Sequence, residues 1–137
     1  MYLNTTLRAV LVAGAMTAAG TASAQTLAGS EWSPVELAGV SFDPIEDIFV
    51  RFEADGRVFG HGGCNSFRSR YVTNGDAILM GPAATTMMAC PERIAAQEFM
   101  FLQTLEQIRH FTRDGATLIL SATEETPVMR LQQRDAD

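Results

Sequence analysis

Apolar and polar residues alternate with a period of two through most of the chain, and one segment breaks that rhythm for a helical one. Ile48, Val50 and Phe52 fall on one face, with Phe49, Arg51 and Glu53 on the other. Asp55-Gly56 follows, a dipeptide suited to a tight hairpin. Val58 and Phe59 then lead into Gly60-His61-Gly62-Gly63, where so much glycine within a strand predicts a bulge or a close backbone approach. Phe67, Ser69, Tyr71 and Thr73 alternate with Arg68, Arg70 and Val72 up to a second hairpin signal at Asn74-Gly75. Ala77 to Met80 returns, Gly81-Pro82 closes that strand, and Thr85 to Met88 is a candidate for another.

From Pro91 the period lengthens. Ile94, Glu98, Phe101, Leu105 and Ile108 recur at three- and four-residue spacing beside Ala95, Phe99 and Leu102, predicting an amphipathic helix over 91–108 broken only by Glu98. Strand patterns resume at His110-Phe111-Thr112, Thr117 to Leu120 and Val128 to Leu131, with a turn at Asp114-Gly115. Before Ile48, Ser30 to Leu37 reads as an early strand containing the single tryptophan, with Pro34 arguing for an edge position or a late start. Gly39 to Asp47 reads as a connecting loop. The sum is an α+β domain: a curved, mostly antiparallel sheet of seven or eight short strands packed on one helix.

The first residues change the picture of where this domain works. Arg8, the uncharged run Ala9 to Ala19 and Ala22-Ser23-Ala24 have the layout of a secretory signal peptide cut after Ala24. Residues 1–24 are thus expected to be a signal and 25–137 one domain, periplasmic or secreted, with no stable membrane anchor. Loss of Arg8 moves the net charge from −6 to −7, and the chain has no lysine, so nucleic acid is a poor partner.

Gly60-His61-Gly62-Gly63-Cys64-Asn65-Ser66-Phe67, Tyr71 and Thr86-Met87-Met88-Ala89-Cys90, with Glu98 and Phe101 beyond, resemble the META/HslJ domain family. The motif positions are Gly62, Gly63, Cys64, Asn65, Phe67, Thr86, Met88, Ala89 and Cys90. The resemblance implies a small exported or envelope-associated domain with a curved sheet on one helix, a link to stress, and no catalytic residues. Cys64 and Cys90 are the only cysteines, and in an oxidising compartment they are expected to form a disulfide. Zinc held by His61, Cys64, Cys90 and His110 is disfavoured because no C-x-x-C pair exists. A nucleophilic Cys64 is disfavoured because its neighbours His61 and Asn65 cannot converge as a triad. The methionines read as core filler, Asn65 and Asn74 as left-handed turn residues, and Arg68 and Arg70 as surface partners for Glu53 or Asp76. The expected function is a non-catalytic, monomeric envelope domain without cofactor that binds a protein partner. The alternative is a module that holds a small ligand or metal, with an apolar ligand between helix and sheet.

Overall fold

The computed structural model describes residues 14–15 and 26–134, so the signal-peptide reading and its cleavage point lie outside the described residues. Ten strands and one helix follow in chain order: β1 (Ser30–Leu37), β2 (Val40–Ser41), β3 (Ile48–Phe52), β4 (Arg57–Gly62), β5 (Ser66–Asn74), β6 (Ala77–Met80), β7 (Ala84–Thr85), α1 (Glu92–Gln107), β8 (His110–Asp114), β9 (Thr117–Thr123) and β10 (Thr126–Gln133). All pairings are antiparallel. The order β10-β9-β8-β6-β5-β4-β3-β1 closes on itself because β1 also pairs β10. The expected curved, antiparallel sheet closes into an eight-stranded barrel, a closure the sequence reading does not include. Closure removes the sheet edges that would otherwise stay exposed.

Proline in β1 does not mark an edge. The strand is flanked on both sides, by β3 over Ser30 to Trp32 and by β10 over Trp32 to Leu37. Pro34 lies past the last residue paired with β3 and beside a register shift between Pro34 and Glu36, where a missing N–H interrupts little. The predicted loop after Gly39 contains the short β2, and the predicted strand at Thr85 to Met88 is shorter and earlier, as β7.

The barrel is filled by its inward-facing residues. Trp32, Val50, Phe52, Val58, Leu118, Leu120 and Leu131 are fully buried, and Tyr71 packs edge-to-face on Phe52 at 5.0 Å between centroids. The wall is weakest between β6 and β8, which share one register pair, Ala77 opposite His110. Helix α1 lies on the connection between these two sides and buries Phe101 and Leu105, with Ile108 as its C-cap. Each such side chain contributes about 2 kcal/mol of gross hydrophobic stabilisation. The helix starts after Pro91, one residue inside the predicted span, and ends one residue before it. Its solvent face is more apolar than the sequence pattern implies, since Phe99 and Met100 are exposed while Glu98 is buried.

Candidate functional site

The glycine-cysteine-asparagine motif forms a structural latch. Gly63 takes φ +109° at the β4–β5 turn, a backbone region that glycine occupies readily. The turn brings two consecutive backbone N–H groups to the carboxylate of Glu98, Cys64 N at 2.9 Å and Asn65 N at 2.6 Å from Oε2. Asn65 Nδ2 donates to the other oxygen, Oε1, at 2.7 Å. A Cβ on Gly62 would stand 2.6 Å from Glu98 Cγ and 2.8 Å from Oε2, so only glycine leaves the carboxylate its place. Asn65 Oδ1 in turn accepts from Met88 N at 2.7 Å and from the Thr86 hydroxyl at 3.0 Å. Phe67 packs edge-to-face on Phe101 at 5.9 Å, and Cys64 is bonded to Cys90 with their Cα atoms 6.1 Å apart.

Most of the motif thus ties three segments together: the β4–β5 turn, the segment before the helix, and α1. Ala89 is exposed beside Met88, which contributes its backbone rather than its side chain. Glu98, the polar break in the helical stripe, is the centre of the latch. Asn65 and Asn74 are not left-handed, as positive φ falls instead on Gly63 and Gly75. Met80 and Met129 are core residues, whereas Met87, Met88 and Met100 are exposed.

The four residues of the disfavoured zinc reading do not form a site. Both cysteines are in the disulfide, and no group of three His, Cys, Asp or Glu converges among the described residues. His61 Nδ1 lies 3.1 Å from Gly63 N and 3.2 Å from the Asp47 carbonyl oxygen, and its tautomer decides which it bonds. The space between helix and sheet, where the alternative reading put an apolar ligand, is occupied by Phe67, Phe101, Leu105 and Ile108, all buried.

A groove of about 1320 Å³ lies instead on the outer face of β3, β4 and β5, bordered by β7. Strand alternation sends Val58 and Phe67 inward and leaves Phe49, Arg57, Phe59, His61, Arg68 and Arg70 outward. Across the register Phe59 stands between Arg51 and Arg68, and Arg57 stands opposite Arg70. Glu46 and Asp47 line the groove at the start of β3.

The cations around the groove are not equivalent. Arg51 bonds Glu53 at 2.6 Å and approaches Glu31, and the Glu53 bond is the main reason its pKa is raised further. Arg57 bonds Asp55 at 2.7 Å, and its backbone N–H and guanidinium hold the Asp55 carboxyl below its ordinary pKa. Arg134 makes a forked contact with Asp47 at 3.1 Å and lies over the Phe49 ring at 4.8 Å. Arg68 and Arg70 form no ion pair within 4.0 Å among the described residues, with Glu53 or Asp76 or any other acid. The sequence signal for this site was an outward row of Phe and Arg on adjacent strands of an acidic chain, recognisable only once the strands are aligned.

Among the described residues, no helix is long and apolar enough to cross a membrane. Comparison with curated proteins gives no match. Among solved structures, the chain is similar to a protein from Burkholderia xenovorans determined by NMR, with TM-score 0.63 and 18% identity over 80% of this chain and 85% of that one. It is also similar to a crystal structure of a DUF4847 family protein from Bacteroides vulgatus, with TM-score 0.60 and 14% identity over 81% of this chain and 96% of that one. At these identities the likeness is one of fold. The META domain model matches residues 25–135, spanning the barrel, the latch and the helix, and the chain therefore belongs to the META domain family.

Proposed function

We propose that this chain is an exported, monomeric, non-catalytic binding module of the envelope, working in stress tolerance, with the outer groove as its binding face. The observation that carries this reading is the groove itself: two outward phenylalanines beside two exposed arginines that have no ion pair within 4.0 Å among the described residues. Exposed aromatic surface next to unpaired guanidinium groups is the composition of a recognition surface. The motif residues support a non-catalytic role, because the latch uses their polar atoms and the disulfide uses their thiols. Export is supported by the N-terminal signal pattern and by a disulfide of the kind that persists outside the cytoplasm.

Fractionation and crosslinking of wild type and Phe59→Ser in the native envelope test this reading. A periplasmic or secreted wild type whose crosslinked species is lost in the variant is the expected result. Cytoplasmic protein, or identical crosslinks from both forms, would overturn it.

A further inference from the structure

The outward rows of β3, β4 and β5 grade from acidic to apolar to basic along the strand direction. Glu46 and Asp47 lie at the start of β3, then Phe49 opposite His61, then Phe59 opposite Arg68, then Arg57 opposite Arg70. Arg57 and His61 are separated by four residues of extended chain, or roughly 14 Å. The Arg57–Arg70 pair sets like charges directly across a strand pair, an arrangement that opposes folding. Asp55 offsets this repulsion, bonded to Arg57 and near enough to attract Arg70 as well. The Arg70 and Arg68 side chains stay exposed and available. Phe59, between Arg51 and Arg68, is 37% exposed. The groove exceeds the roughly 300–1,000 Å³ of an ordinary small-molecule pocket, so it has room for an elongated body.

We infer that the groove binds an amphipathic organic anion, its acidic head on Arg68 and Arg70 and its apolar body along Phe59 and Phe49. The inference rests on the reading of the groove as the binding face and adds the class of ligand. A guanidinium fork presents parallel N–H donors that match a carboxylate, sulfonate or phosphate. The exposed Phe59 takes a flat or aliphatic body by area burial and stacking, and Phe49, which carries Arg134 on its ring, extends the apolar wall. Asp47 is held by Arg134, which leaves Glu46 as the acid without an ion pair among the described residues at the far end, where it disfavours a second negative group on the ligand.

Titration of the 15N-labelled protein with naphthalene-2-sulfonate, its neutral analogue naphthalene-2-sulfonamide, and inorganic phosphate tests this at low ionic strength. The sulfonate is expected to shift the amides of Phe59, Arg68 and Arg70, and both the sulfonamide and phosphate to bind at least tenfold more weakly. The R68Q/R70Q double variant is expected to lose at least tenfold in sulfonate affinity while keeping a native amide spectrum, because both side chains are exposed. R130Q, which removes a distant arginine paired to Glu36, is expected to bind like wild type.

Equal binding of sulfonate and sulfonamide in the groove would overturn the anionic head and leave the groove reading standing. Phosphate binding as tightly as the sulfonate would overturn the apolar body. Equal loss in R130Q and R68Q/R70Q would reduce the effect to bulk charge and overturn the assignment to these two arginines. Absence of any groove shift with all three probes would overturn the groove reading as well.

Discussion

Glu98 sits where a helical pattern calls for an apolar side chain, and its burial is tolerable because both carboxylate oxygens are filled. Two backbone N–H groups and one side-chain amide reach it, all within 2.9 Å. Replacing it by Gln puts an NH2 group against at least one of those donors, which leaves a buried polar group unpaired. Glu98→Gln is therefore expected to lower stability by about 2–3 kcal/mol in urea denaturation. Gly62→Ala should act through the same contact by displacing the carboxylate, and unchanged midpoints in both variants would refute the latch. Tyr71 makes a separate prediction. Its hydroxyl donates to the Glu53 carbonyl at 2.7 Å, and burial, followed by the charges of Asp55 and Glu53, raises its pKa above the ordinary value near 10. Below pH 10 the neutral phenol is present in folded and unfolded chains alike and its contribution is complete. Above it the unfolded chain ionises first, so that contribution is lost as pH rises through the folded pKa. The stability of wild type relative to Tyr71→Phe should thus fall as pH rises above 10 in denaturant titrations. A pH-independent difference would contradict this origin.

Among the elements, the helix is the piece held least by hydrogen-bonded pairing, and the disulfide makes up for it. Cys64 lies at the β4–β5 turn and Cys90 two residues before α1, a sequence separation of 26. In the chain-entropy model a loop of that length contributes about 3.5 kcal/mol. For a domain of this size the Cys64→Ser/Cys90→Ser pair should lower Tm by on the order of 10 °C, measured by calorimetry without reductant. A shift of only a degree or two would mean that the Glu98–Asn65 contacts suffice to seat the helix. At this scale the sequence was most legible. The helix limits, the hairpins at Asp55-Gly56, Asn74-Gly75 and Asp114-Gly115, and the inward sets of β3 and β5 follow from period and turn chemistry. Local signals failed for Phe99 and Glu98, because one face of a helix cannot reveal that a turn distant in sequence supplies donors for a carboxylate.

Over the whole molecule, ring closure decides what the sequence pattern leaves open. A period of two tells which residues share a face but not which strands are neighbours, so an open sheet and a barrel have the same alternation. The pairing of β1 with β10 joins residues about a hundred positions apart, and nothing local encodes it. The same is true of the groove. Arg68 and Arg70 read as ordinary surface cations, and only the alignment of β4 with β5 sets one beside Phe59 and the other opposite Arg57. By itself the sequence determined the class of each segment, the two cysteines available for bonding and the acidic balance of the chain, because turn residues, hydrophobic period and composition act locally or by counting. The tertiary structure alone decided that the sheet closes, that the motif is spent on a latch around Glu98, and that a basic, aromatic face survives on an acidic protein. Each of these depends on bringing distant backbone into register, which is a property of the folded chain.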